Sequence, residues 1–252
     1  MKRRLIVLLL IVVIASGCIS GESGRPTKTS PTPTTTLLPA GEPRNYTQEE
    51  LLQNLERITF LRFWEETTGV TVVIIGNANQ TMEIKGSKVG YVDIASRRTE
   101  VNSTATVGSS IIKSRIIVTN ESAYFEFAGR GENLTEPEAV EKLWESTNVL
   151  EVVRRYLTEL EPFKVDFVNG TQEFYYNVTN TMMLGEVPGI EGSGNVAING
   201  TAILRFRGGY PVEVVFRYTL KTVSEQGGVR ITNIVTAVER IELQEIKTGK
   251  GT

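Results

Sequence analysis

Glu49-Glu50, Glu65-Glu66 and Glu159-Glu161 bring carboxylates close together along the chain, the raw material of general acid–base catalysis. Helix caps and solvated faces account for the same pairs without chemistry. The 252-residue chain has no histidine, which excludes Ser-His-Asp and Cys-His nucleophilic sites and His-ligated zinc, haem or non-haem iron. A single cysteine, Cys18, excludes an intrachain disulfide and a thiolate cluster. Asp93 and Glu100 are too isolated for a calcium site. Gly208-Gly209 and Gly227-Gly228 read as hairpin turns, with no helix start behind them to cradle a phosphate. Lys plus Arg number 27 against 29 Asp plus Glu, a net charge of −2, so no basic field exists to recruit nucleic acid. The expectation is a protein with no catalytic residue, no metal, no cofactor and no nucleic-acid partner.

Cys18 has another use. Lys2, Arg3 and Arg4 precede an apolar run from Leu5 to Ala15. That run suits the apolar region of a signal peptide and is too short to cross a bilayer core of roughly 30 Å as a helix. Ala15-Ser16-Gly17-Cys18 then resembles the lipobox of bacterial and archaeal lipoproteins, where the thiol takes a lipid and the chain is cut just before it. Ala15 departs from the Leu commonest there, and an ordinary signal peptide with an incidental cysteine is the plain alternative. The resemblance implies a signal peptide over 1–17 and a membrane partner reached through a lipid on Cys18. Residues 18–44, rich in Thr and Pro from Thr27 to Thr36, read as an extended tether.

Asn-x-Ser/Thr occurs at Asn45, Asn79, Asn102, Asn120, Asn133, Asn169, Asn177 and Asn199, which is 8 of 14 asparagines. With Ser and Thr at 43 of 252 residues, chance predicts roughly 2 to 3 such tripeptides. The excess points to an N-glycosylated extracytoplasmic domain and, beside the lipobox, to an archaeal surface protein more than a bacterial one.

Over 45–247 the pattern is that of one globular domain, followed by a short tail over 248–252. Thr47-Gln48-Glu49-Glu50 is a capping box, and Leu51, Leu52, Leu55 and Ile58 follow at helical spacing, predicting a helix of about 18 residues closed by Thr67-Thr68-Gly69. Strands are expected at Val70–Ile75, Lys88–Val101, Ile111–Val118 and Ala123–Phe127. Thr135-Glu136-Pro137-Glu138 opens a second helix with Thr135 as N-cap. A break at Ser146-Thr147-Asn148 precedes a third stretch that ends before Pro162. Then come strands Phe163–Val168 and Gln172–Val178 around Asn169-Gly170, Val196–Ile198 and Ala202–Arg207 around Asn199-Gly200, Val212–Leu220, and Val229–Leu243. Consecutive hairpins mean antiparallel pairing. The fold class is α+β: a strongly curved antiparallel sheet of about ten strands, a half-barrel, with the helices on its concave face.

Val89-Gly90-Tyr91-Val92-Asp93-Ile94-Ala95-Ser96-Arg97-Arg98-Thr99 and Ile116-Ile117-Val118-Thr119-Asn120-Glu121-Ser122-Ala123-Tyr124-Phe125, with this element order, resemble the LolA/LolB/LppX-like lipoprotein-carrier superfamily. The resemblance implies a half-barrel with a hydrophobic cavity under the helices that holds acyl chains. No pocket residue transfers by motif. The aromatic side chains available to line such a cavity are Phe60, Phe63, Trp64, Phe125, Trp144, Tyr156, Phe174, Tyr176, Phe206, Phe216 and Tyr218, for each of which ordinary core packing is the bland alternative. Met182 and Met183, in a Gly- and Pro-rich stretch over 181–194, suit either a mobile apolar lid or a surface connection.

Two functions follow. One is a membrane-anchored module that binds a lipid, a lipoprotein or another hydrophobic ligand. The other is a surface protein with a filled core, an exposed apolar patch and a protein partner of unknown identity.

Overall fold

The computed structural model describes residues 44–179, 195–226 and 228–249. The signal segment, Cys18 and the 181–194 stretch with Met182 and Met183 lie outside the described residues.

Helix α1 covers Gln48–Glu56, and its capping box is formed: Thr47 Oγ1 accepts from the Glu50 N–H, and Glu50 Oε2 accepts from the Thr47 N–H at 2.8 Å. The helix is 9 residues long, half the expected length. At Ile58 the chain becomes strand β1, Ile58–Ile75. From there burial alternates, with Leu61 and Phe63 inside and Arg62 outside, so the operative period is 2 and not 3.6. Ile58 continues the spacing of Leu51 and Leu55 by coincidence.

Strands β2 (Ala78–Asp93), β3 (Arg98–Val107), β4 (Ser110–Val118), β5 (Ala123–Phe127) and β6 (Arg130–Leu134) follow. The expected Lys88–Val101 strand is divided by a turn in which Asp93 Oδ1 accepts from the Ser96 N–H and Arg97 adopts φ 47°. β6 is polar, was not expected, and exists by pairing with β5.

Helices α2 (Pro137–Thr147) and α3 (Val149–Glu159) come next. Thr135 does not cap α2. Glu136 is the N-cap, its side chain not capping the helix N–H groups, and Pro137 opens the helix with its φ already set. The expected break is real: Asn148 is buried and its Oδ1 accepts from the Leu150 N–H at 3.1 Å, starting α3.

Strands β7 (Lys164–Val168), β8 (Thr171–Val178), β9 (Asn195–Arg207), β10 (Tyr210–Gln226) and β11 (Val229–Thr248) complete the chain. Asn169-Gly170 is the β7–β8 turn, at φ 50° and 75°. Asn199-Gly200 is no turn, because β9 runs straight through it.

Among the described residues all 11 strands form one antiparallel sheet in the order β6-β5-β4-β3-β2-β1-β11-β10-β9-β8-β7. The sheet is curved and open, a half-barrel, and the helices lie on its concave face. Every pairing joins chain neighbours except β1 with β11. The chain therefore reaches one edge at β6 and returns through α2 and α3 to the opposite edge at β7. The core lies between these helices and the inner half of the sheet, where Leu61, Phe63, Val92, Leu243 and Ile246 meet Leu51, Trp144, Val153, Tyr156 and Leu157.

Candidate functional site

In an antiparallel pair, residues directly opposite share a face. The register therefore assigns each strand side chain to the concave or the convex surface. Phe63, Phe174, Tyr176, Phe206 and Phe216 face the helices and are almost wholly buried, with Tyr156 and Trp144 above them. They pack on one another: Tyr156 meets Tyr176 at 5.2 Å and Phe216 at 5.9 Å between centroids, and Phe174 meets Phe206 edge-on at 5.6 Å. Burial pushes the Tyr176 hydroxyl up to about 12, although Gln48 Nε2 donates to it at 3.3 Å.

Phe60 and Trp64 alternate with Leu61 and Phe63 and so lie on the convex face, away from the helices. Phe60 stacks on Tyr91 at 6.0 Å with Lys247 over its ring. Both had been expected on a helix, and the change of period moves them. Phe125 is concave and stacks on Phe127, and Tyr218 is concave farther out.

Beyond the helices the concave face changes character in two steps. First comes a polar belt. Glu65 on β1 is opposite Lys88 on β2, with Lys88 Nζ 2.6 Å from Glu65 Oε1. Lys88 is opposite Ser103, which is opposite Ser114, and the two hydroxyls are 2.5 Å apart. On the other side, Tyr218 of β10 donates to Glu239 Oε1 of β11 at 2.7 Å. The Glu65 side chain is 7% exposed, and its Oε1, though paired with Lys88, receives no well-directed hydrogen bond.

The electrostatics follow from two carboxylates meeting one ammonium. Burial raises the Glu239 carboxyl above its ordinary value; Lys88 pulls it down, and Glu65 pushes it further up. Burial works against the charge of Lys88, but Glu65 and Glu239 outweigh it and hold the ammonium above its ordinary value. The Tyr218 hydroxyl is pushed up by burial and by Glu239. Among the described residues no third carboxylate, cysteine or histidine joins this pair to make a metal site.

Outside the belt the concave face becomes apolar again. Met82 and Ile84 of β2, Ala105 and Val107 of β3, Ile112 of β4, Val235 of β11 and Leu220 of β10 share this surface and are half-buried. The core cluster under the helices draws on β1 no farther out than Phe63, so none of the described helices packs over this half. On the same face Thr71 and Val73 are buried, and Thr71 Oγ1 donates to Asn233 Oδ1 at 2.6 Å. The result is a trough with an apolar lining and a polar inner end.

The convex face differs. Glu173, Arg205, Glu213, Arg240 and Glu242 form a charged ladder across β8 to β11. Arg205 bonds Glu173 at 2.8 Å and also Glu213, and Arg240 bonds Glu213 and Glu242. A shallow depression of about 430 Å³ opens over it. Its carboxylates are each matched by a guanidinium, as cross-strand pairing explains.

The sequence points to Glu65 only as half of the Glu65-Glu66 pair, for which a helix cap or solvated face is the plain reading. It is instead buried in the belt, and Lys88 and Glu239 carry no sequence motif. Each of the three is charged at a position where its strand's inward alternation calls for an apolar residue, and that was the available signal.

No protein-family model matches the chain, and no curated protein matches it. Solved structures similar to it include a DUF1329 family protein from Desulfovibrio piger, 8% identical, covering 81% of this chain and 92% of that one at a TM-score of 0.27. A beta-barrel-like protein of the domain of unknown function DUF1849 from Brucella abortus is 6% identical over 75% of this chain and 99% of that one, at 0.23. A LolA superfamily protein from Nitrosomonas europaea is 8% identical over 82% of this chain and 96% of that one, at 0.21.

Proposed function

We propose that the chain is an extracytoplasmic lipoprotein, anchored through a lipid on Cys18 and held off the membrane by residues 18–44, that binds an amphiphilic ligand without catalysis. The ligand's apolar body lies in the outer trough, and its polar end, bearing hydrogen-bond donors, meets the belt of Glu65, Lys88, Glu239 and Tyr218. The observation that supports this reading is the run of apolar side chains from Met82 to Leu220, half-buried on the concave face with none of the described helices above it. A ligand site needs an apolar surface that the protein does not fill and a few polar groups that orient what enters. The belt adds two carboxylates to one lysine, which favours a donor-bearing or cationic head over an anionic one. The space under the helices, by contrast, is occupied by packed aromatic rings.

Native mass spectrometry with lipid extraction, on protein taken from its own membranes, tests the reading. A stoichiometric amphiphile is expected, and Ala105→Glu, which puts a charge on the trough wall, should lower its uptake tenfold or more. A clean apo mass and no uptake of offered amphiphiles would overturn it.

One observation favours the alternative, a surface protein with a protein partner. The free edge strand β7 exposes Val165, Phe167 and Val168 at 47%, 44% and 49%, next to Phe163 at 55%. The opposite edge, β6, carries Arg130, Glu132 and Asn133. Charged edges resist pairing with another chain, whereas an apolar one invites it.

A further inference from the structure

All eight Asn-x-Ser/Thr asparagines lie among the described residues, and all eight are exposed. Asn45 precedes α1, and Asn120 and Asn169 sit in turns. The other five, Asn79, Asn102, Asn133, Asn177 and Asn199, lie inside strands. The register puts every one of the five on the convex face. Asn79 is opposite Ile74, Asn102 is opposite Arg115, Asn133 is opposite Tyr124, Asn177 is opposite Thr201, and Asn199 is opposite Thr219. Where the strand continues, as at Thr81, Thr104 and Thr201, the period of 2 turns the hydroxyl residue to the same face. Asn233, a strand asparagine on the concave face, accepts from Thr71 and is followed by Ile234 and Val235, so it forms no such tripeptide.

Alternation alone sends polar side chains outward, but it does not make them asparagine. Asparagine is depleted in strands, where β-branched and aromatic residues fit better. Nor does alternation place a hydroxyl residue two positions after each one. We infer that the convex face of the sheet is N-glycosylated at these strand positions while the concave trough is left bare. In each modification the asparagine Nδ2 bonds the anomeric carbon of a sugar carried on a lipid-linked phosphate donor. The bond from that carbon to the phosphate oxygen breaks, the phosphate leaves with the electron pair, and one amide proton passes to solvent. A separate transferase supplies the catalysis. The inference rests on the extracytoplasmic part of the proposed function and not on the ligand.

Glycopeptide mapping of the full chain purified from its own organism is the test. Sugar masses are expected on peptides containing Asn79, Asn102, Asn133, Asn177 and Asn199. Sugars confined to Asn45, Asn120 and Asn169 would overturn the face assignment, because a loop preference would then explain the pattern. The same digest shows whether residues 1–17 have been removed. Bare asparagines on a chain without its leader would overturn the glycan inference alone. Bare asparagines on a chain that keeps the leader would overturn it together with the export reading.

Discussion

Two carboxylates sharing one ammonium is a poor way to stabilise a fold, and the belt is best understood as a cost carried for another purpose. Glu239 is faced by Lys88 from β2, Glu65 from β1 and the Tyr218 hydroxyl from β10. Burial holds its carboxyl above the ordinary 4.5, so the folded chain keeps this proton more tightly than the unfolded chain does. The resulting stabilisation is present in full below that ordinary value. It is lost as pH climbs through the raised one, above which the ionised group works against folding. Glu239→Gln removes the charge and keeps an acceptor for Tyr218. It should make the protein about 1 kcal/mol more stable at pH 7.5, or about 2–4 °C in Tm for a domain of this size, and change little at pH 4. Thermal melts at the two pH values measure this. A lower Tm for the variant at pH 7.5 would mean that Lys88 needs both carboxylates and that the belt is structural.

At the scale of elements, neighbouring backbones in the sheet come unusually close at a few glycines. At Gly200 a Cβ would lie 2.2 Å from the Arg217 carbonyl oxygen and 2.7 Å from the Tyr218 Cα, and only backbone movement could relieve it. Gly228 is a glycine of the other kind, at φ +77° with nothing within 4 Å of an added Cβ. Gly200→Ala should cost about 3 kcal/mol by overpacking the β9–β10 pair, and Gly228→Ala about 1 kcal/mol through backbone strain. Urea unfolding of the two variants decides it, and equal losses would show that close approach is not what position 200 requires. The same residue shows what was legible in the sequence. Asn169-Gly170 and Asn199-Gly200 are identical dipeptides, yet only the first turns the chain. Around the second, Val196, Ile198, Ala202, Leu204 and Phe206 keep one unbroken phase, which marks a single strand. The antiparallel half-barrel, the α1 capping box and the break at Asn148 were readable because each is fixed by local spacing. The β1 boundary was not, because Ile58 fits both periods, and β6 was not, because it has no apolar phase. The belt was not, because Glu65, Lys88 and Glu239 converge only through the β1–β2 and β1–β11 registers.

The whole molecule is two wings of consecutive hairpins joined at one seam. β1 and β11 pair from Ile58 opposite Thr248 out to Ile75 opposite Ile231, and the α2–α3 connection spans from edge to edge across the inner half alone. Local opening should follow that geometry, since regions with few buried apolar contacts open at the lowest free energy. Amides of β1 and β11 at the inner end, where Leu61, Phe63, Leu243 and Ile246 enter the core, should exchange only with global unfolding. Those of the edge strands β6 and β7 should exchange fastest. The outer stretches of β2, β3 and β11 should fall between, because they are paired on both sides but have none of the described helices above them. A ligand that binds the folded state stabilises whatever it must hold together. A bound amphiphile should therefore slow exchange around Ile84, Ala105, Ile112 and Val235 and leave the edge strands unchanged. Hydrogen exchange with and without the extracted ligand separates the two functional readings on one sample. Slowing confined to β7 on addition of a cell-surface protein fraction, with the outer trough untouched by any amphiphile, would move the functional surface from the concave face to the apolar edge.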